Sequence, residues 1–228
     1  MAKPTLRLMS GDAIEKVKEL STQSIDCIFC SPDPPFSSRI GMAAVDTMLE
    51  YIQYLVNFFH QASRVLKDKG TVFVQMGDQH DNDGSLRMTP YIFALSMKSD
   101  GWLLRSDLIW NRPDEIIQED LNRFIRDCEH MFMFTKTPAH FFNMVQQSGL
   151  IRARYIEPRQ GEWLSGFPEE LIRVCLQSGC PPGGVVLDPF CGTGTTGAIA
   201  LIHGMSFIGI ELEEWKNTKT LKRLKGLY

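Results

Sequence analysis

Val185-Val186-Leu187-Asp188-Pro189-Phe190-Cys191-Gly192-Thr193-Gly194-Thr195-Thr196-Gly197 changes character twice along its length. An apolar, partly β-branched run ends in an acid, closely spaced glycines let the chain turn, and Thr195-Thr196 stand where a helix needs a cap. Strand, glycine turn and helix in this order predict the ligand-binding edge of an α/β sheet with helices on both faces. The next apolar run, Phe207-Ile208-Gly209-Ile210, ends in Glu211 about twenty residues beyond the turn. A carboxylate there can accept hydrogen bonds from two ribose hydroxyls.

Outward from this unit, strand-like and helix-like segments alternate, which predicts a mostly parallel, doubly wound sheet. The strands are expected at Ile25–Cys30, Thr71–Met76, Leu103–Trp110, Met131–Thr135, Val185–Asp188 and Ser206–Glu211. Helices are expected over Ala13–Leu20, Thr47–Leu66, Pro90–Ser99, Pro168–Ser178, Thr195–His203 and Glu213–Leu224. Two stretches read as irregular: Gly77 to Met88, rich in Asp, Asn and Gly, and Asn143 to Trp163. With 228 residues, 43% of them hydrophobic, the chain can bury one substantial core, so residues 1–228 are expected to form a single domain.

A formal charge of −3 places any contact with a polyanion on local clusters rather than on a global basic excess. Arg152, Arg154 and Arg159 form one such cluster. Lys216, Lys219, Lys222, Arg223 and Lys225 form another, which a solvated helix face explains equally well. The six cysteines lie in apolar segments without a secretory leader in front, the pattern of reduced intracellular thiols. Cys27 and Cys30 make a C-x-x-C, but inside a strand that spacing turns the thiols to opposite faces, and a zinc site needs four converging ligands. No metal is expected. No apolar run reaches the roughly 20 residues that span a bilayer, so no membrane contact is expected either, and the protein should be soluble.

Gly192 to Gly197 also satisfies G-x-G-x-x-G, the fingerprint of nicotinamide dinucleotide enzymes. The Asp188-Pro189-Phe190-Cys191 prefix is foreign to those enzymes, and here the chain resembles a different family. D-P-F-x-G-x-G-T-T is the S-adenosylmethionine motif of the DNA amino-methyltransferases, which methylate N6 of adenine or N4 of cytosine. The resemblance implies their Rossmann-like methyltransferase fold and their cofactor, with Asp188, Phe190, Gly192, Gly194, Thr195, Thr196 and Glu211 around it.

A second segment supports the same family. Ile25-Asp26-Cys27-Ile28-Phe29-Cys30 leads into Ser31-Pro32-Asp33-Pro34-Pro35-Phe36, which resembles the family's (D/N/S)-P-P-(Y/F/W) catalytic motif. The chemistry asks for these residue types. An exocyclic amine conjugated to its ring is a poor nucleophile, and oxygen acceptors on its hydrogens raise the electron density on nitrogen. Prolines stiffen the carbonyl that helps, and an aromatic stacks on a base turned out of the duplex. The register is irregular. Relatives place the first motif residue five positions after the acid that opens the strand, which is Ser31, whereas the intact Asp33-Pro34-Pro35-Phe36 begins two later. The complete tetrapeptide favours Asp33; Ser31 remains the alternative. Asp-Pro-Pro is commoner in adenine enzymes and Ser-Pro-Pro in N4-cytosine enzymes, so adenine is slightly favoured.

Further resemblances follow the family's order. Gly11-Asp12 looks like the element whose aspartate contacts the cofactor's adenine. Trp102 to Pro113 resembles its W-x-L-R-x-D-I-I-W-x-K-P strand. Glu129-His130 with Phe132, Phe134-Thr135-Lys136 and Phe141-Phe142 resembles the stretch that follows. Phe167-Pro168-Glu169-Glu170-Leu171-Ile172 resembles the segment holding the methionine end of the cofactor, through Phe167. The catalytic motif precedes the cofactor motif, which implies the circularly permuted β arrangement of the family, with 143–166 as a short target-recognition loop. DNA is the implied partner, contacted by Arg152, Arg154 and Arg159, with a homodimer supplying what so short a loop lacks. A prokaryotic or phage-encoded cytoplasmic enzyme of restriction-modification is implied. Two alternatives stay open: a methyltransferase for RNA or small molecules, consistent with the acidic pI near 6.0, and a non-catalytic binding module, suggested by the displaced proline motif.

His130 reads as a hydrogen-bonded structural histidine, because transfer from a sulfonium needs no strong base. Asp107 reads equally as a sheet anchor or a direct participant, and Asp78 equally as turn chemistry or a ligand contact.

Overall fold

A computed structural model of the chain describes residues 3–32, 47–112, 124, 127–146, 148–153, 168–225 and 227. Its strands are β1 (Leu6–Ser10), β2 (Ile25–Cys30), β3 (Leu66–Met76), β4 (Leu103–Asn111), β5 (Cys128–Thr135), β6 (Leu150–Arg152), β7 (Val185–Asp188) and β8 (Ser206–Glu211). The helices are α1 (Ala13–Lys18), α2 (Met48–Ala62), α3 (Thr89–Ser99), α4 (Glu169–Gly179), α5 (Thr195–Ile202) and α6 (Glu214–Leu224). The sheet runs β1-β8-β7-β2-β3-β5-β4-β6. Among the described strands only β5 opposes its neighbours; the other pairings are parallel.

Two apolar layers sandwich this sheet. One joins Val17 of α1, Leu55 and Phe59 of α2 and Phe93 of α3 to Ile28, Cys30, Val72 and Val74 of the strands. The other joins Leu171 of α4, Ile199 of α5 and Leu224 of α6 to Cys27, Phe29 and Phe73. Successive residues of β2 and β3 thus serve opposite layers, as the period of a strand requires. Cys27 and Cys30 fall in different layers, as their spacing predicted. Burial pushes the Cys27 thiol up to about 12 and that of Cys30 well above its ordinary value, so both sulfurs act as packing groups.

The expected helix through Leu66 ends early, at Ala62. Thr47 caps its start in a reciprocal box with Glu50. Beyond Ala62 the sheet recruits the chain: Leu66 is fully buried opposite Ile25, and Lys67 Nζ lies 2.8 Å from both carboxylate oxygens of Asp26. Asp26 also accepts the Val185 N–H at 2.9 Å. This buried acid therefore ties β3 and the start of β7 to β2. β1 and β6 are additions to the expected strands, and β6 lies inside the stretch read as irregular.

α4 ends where Gly179 crosses β3. Thr71 Oγ1 donates to Gly179 O at 2.9 Å, and a β-carbon on Gly179 would stand 2.4 Å from Phe73 Cε2 and 2.5 Å from Thr71 Oγ1. Gly179→Ala is therefore expected to destabilise by about 1–3 kcal/mol through overpacking. Thermal unfolding should show a loss of about 2–4 °C per kcal/mol, and an unchanged midpoint would mean that α4 shifts without cost.

Candidate active site

The sheet order reverses its winding between β7 and β2. From β7 the chain crosses through α5 outward to β8, while from β2 it crosses through α2 in the other direction to β3. The crevice at the carboxyl ends of such a strand pair is where open α/β sheets bind ligands. Asp188 ends β7, Glu211 ends β8, and Ser31 follows β2, so the topology gathers the two halves of the expected site from opposite ends of the sequence.

On the β7 side the glycine turn is built as expected, with one change. The helix cap is Gly194, in the left-handed region at φ 80°, and not Thr195-Thr196, which are the first helical residues. Glycine takes this conformation at little steric cost, while a β-carbon here would meet Thr220 Cγ2 at 2.5 Å. Thr196 instead hydrogen-bonds Asp188. Asp188 Oδ1 also accepts the Phe190 N–H at 3.1 Å, and the Phe190 ring packs on Phe58, 5.7 Å between centroids. Glu211, 7% exposed, accepts the Gly192 N–H at 3.0 Å and the Glu213 N–H at 3.2 Å.

Two residues that sequence reasoning did not single out for this role brace the turn from α6. Thr220 Oγ1 donates to Gly192 O at 2.9 Å, and Arg223 donates to Thr193 O at 3.1 Å. Arg223 thereby leaves the basic helix face to which its sequence neighbours assigned it. Thr193 Oγ1 is buried beside them without a hydrogen-bond partner, a polar group that a ligand in the turn could satisfy.

Asp12 caps α1, accepting the Ile14 N–H at 2.9 Å and the Tyr54 hydroxyl at 2.7 Å. Gly11 N–H donates to Glu211 O at 3.0 Å, which brings Asp12 beside the end of β8.

On the β2 side Ser31 and Pro32 open onto a cleft of about 250 Å³, lined also by Tyr51, Gln75, Asp78 and Glu129. Ser31 Oγ donates to Gln75 Oε1 at 2.5 Å. Asp33, Pro34, Pro35, Phe36, Arg154, Arg159 and Phe167 lie outside the described residues. Arg152 is exposed on β6. Asp78 proves to be turn chemistry, accepting the N–H groups of Met88 and Thr89 at 3.1 Å each and so anchoring the start of α3. His130 stacks on Phe132 and shares a hydrogen bond with Asp107 at 3.0 Å, the structural arrangement expected of it.

The electrostatics of the crevice centre on Asp188. Burial pushes its carboxyl up to about 7; Thr196 and the Phe190 N–H pull it back, and the Glu211 charge adds to the rise. Between the ordinary 3.8 and about 7 the folded protein holds a proton that the unfolded chain has released. This contribution to stability is fully present below the unfolded value and is lost as pH rises through about 7. Asp188→Asn should remove the slope. Urea unfolding at pH 5 and pH 8 should then show the wild type losing about 2 kcal/mol more than the variant; parallel losses would contradict the burial of the charge.

Known proteins share both the sequence and this geometry. A family model described as DNA methylase, for N6 and N4 methylation, matches residues 25–217. Type II methyltransferase M.XycI of Xanthomonas campestris pv. cyanopsidis is 30% identical, over 96% of this chain and 87% of its own. Among solved structures, the PvuII DNA methyltransferase (cytosine-N4-specific) superposes with a TM-score of 0.85 at 18% identity, covering 97% of this chain and 87% of that one. The TTHA0409 modification methylase of Thermus thermophilus, solved in complex with S-adenosyl-L-methionine, gives a TM-score of 0.74 at 20% identity, covering 96% and 93%. With the family model matched from β2 into α6, the chain belongs to the N6/N4 DNA methylase family.

Proposed function

We propose that this protein is an S-adenosylmethionine-dependent DNA methyltransferase that methylates the exocyclic amine of a base turned out of the duplex, N4 of cytosine in preference to N6 of adenine. The observation that carries this is the meeting, across the β7–β2 junction, of the Glu211 glycine crevice with the Ser31 cleft.

The crevice fits the cofactor. Glu211 is a buried carboxylate suited to a ribose diol, the glycine turn leaves room for close backbone approach, and Thr193 offers an unpartnered buried hydroxyl. Asp12 would lie toward the adenine, and Asp188 and Phe167 toward the methionine end. When bound, S-adenosylmethionine supplies an electrophilic methyl group on a sulfonium.

The chain's own residues hold the amine. Ser31 supplies an acceptor oxygen at the cleft, and Phe36 is the aromatic expected to stack on the base. Sequence alone leans toward Asp33 and adenine. The placement of Ser31 at the cleft, backed by Gln75, supports the Ser-Pro form of the motif and with it cytosine. The order of the two motifs is that of a circularly permuted member, and the short 143–166 segment, with Arg152, Arg154 and Arg159, serves target DNA, a second protomer supplying further contacts. A loop of that length reads a short or relaxed site.

DNA from cells expressing the protein in a methylation-free background, hydrolysed and analysed by mass spectrometry, tests this. N4-methylcytosine is the expected product. N6-methyladenine would move the target to adenine, and neither base in any such DNA would overturn the proposal.

A further inference from the structure

Behind Ser31 runs a chain of polar groups that crosses the sheet one strand at a time. Ser31 follows β2, Gln75 lies on β3, Glu129 on β5, and Arg112 directly after β4, and these strands are neighbours in that order. Ser31 Oγ bonds Gln75 Oε1 at 2.5 Å, Gln75 Nε2 bonds Glu129 Oε2, and Glu129 Oε1 lies 2.9 Å from an Arg112 terminal nitrogen. Gln75 is 6% exposed and Arg112 9%, and the Arg112 guanidinium stands 5.5 Å from the centre of the Trp110 ring.

The direction of every bond in this chain is forced from its far end. A guanidinium can only donate, and the carboxylate paired with it can only accept. The amide nitrogen of Gln75 must therefore face Glu129, which leaves the amide oxygen facing Ser31. An amide oxygen only accepts, so the single hydroxyl proton of Ser31 is committed to Gln75. What Ser31 offers the cleft is then its oxygen lone pairs alone.

We infer that Glu129 and Gln75 are positioning residues that hold Ser31 as a hydrogen-bond acceptor toward the cleft, so that the site selects an amine over a carbonyl at the same position of the base. Cytosine and adenine present an N–H donor there; their deaminated counterparts present oxygen, which would face the Ser31 lone pairs without a proton between them. This rests on Ser31 as the amine contact proposed above. Gly77 fits the same design, because a β-carbon on it would press within 3.1 Å of the Glu129 carboxyl carbon.

The test uses the full-length protein, duplex DNA carrying its methylated site, and the same duplex with a carbonyl base in place of the target amine. Gln75→Leu, which leaves the Glu129–Arg112 pair in place, should narrow the preference for amine over carbonyl DNA about tenfold, since the Ser31 proton is released to donate. It should slow single-turnover methylation by about as much, with cofactor affinity and thermal midpoint near wild type. In a Ser31→Ala background the same substitution should cost nothing further, the signature of action through Ser31. Glu129→Gln, nearly isosteric, lets the Gln75 amide reverse and should narrow the preference likewise if Gln75→Leu folds poorly. An amine preference unchanged in both variants, or an equal cost of Gln75→Leu with and without Ser31, would overturn the relay while leaving Ser31 in its place. Wild-type turnover by Ser31→Ala would overturn the relay together with the assignment of Ser31.

Discussion

Ser31→Ala is expected to lose about 10²–10³-fold in kcat while binding S-adenosylmethionine as the wild type does. The magnitude is that of removing one preorganised group aimed at charge developing in a transition state. As methyl is transferred, the amine nitrogen becomes cationic and its hydrogens acidic, so an oxygen acceptor gains most when the barrier is crossed. The loss therefore falls on kcat and not on substrate binding. Cofactor affinity is spared because Glu211 and the glycine turn lie beyond β7, on the other side of the junction. The substitution also strands Gln75 Oε1, so a small loss of stability of about 1 kcal/mol accompanies it. Asp33→Ala made in parallel decides the register. An active Ser31→Ala beside an inactive Asp33→Ala would return the acceptor to Asp33 and restore the reading that the intact tetrapeptide favours.

The half of the site that was legible in sequence is the half written in one contiguous segment. Val185 to Gly197 carries its own periodicity, turn and helix start, and the structure reproduces it apart from moving the cap to Gly194. Local rules of this kind depend on neighbours in sequence, which a reader of the chain can see. The Ser31–Gln75–Glu129–Arg112 chain depends on neighbours in space. Gln75 stands out only as a polar residue in the apolar run Thr71–Met76, and nothing in sequence says that it meets Glu129. That meeting requires β5 to run antiparallel beside β3, a pairing that periodicity does not encode. The same holds for Arg223, which its neighbours in sequence assign to a solvated basic face but which tertiary packing turns toward Thr193 O. The helix end at Ala62 was misread because Val65 and Leu66 continue an apolar spacing compatible with a helix; the Lys67–Asp26 pair and the burial of Leu66 against β2 decide for the strand.

The second large effect is expected at Glu211. Its carboxylate lies at the end of β8, opposite Ser10 of β1, and receives the Gly192 and Glu213 N–H groups. Glu211→Ala removes both the acceptor proposed for the ribose diol and the clamp that holds the glycine turn toward the ligand. One or two charge-assisted hydrogen bonds at about 1.5–3 kcal/mol each amount to a loss of affinity for S-adenosylmethionine of about 10²–10⁴-fold. Glu211→Gln separates the two contributions, because its amide oxygen can still accept one N–H of the turn while the charge is gone; it should fall between wild type and Glu211→Ala. Removing the charge also lifts one of the influences that raise the Asp188 carboxyl, so the pH at which stability declines should move downward in Glu211→Gln. Calorimetric titration with the cofactor, alongside circular dichroism to establish that the fold persists, measures the first effect, and urea unfolding across pH measures the second. A folded Glu211→Ala that binds the cofactor at wild-type affinity would remove Glu211 from the cofactor site, and an unmoved pH dependence in Glu211→Gln would show that burial alone governs Asp188.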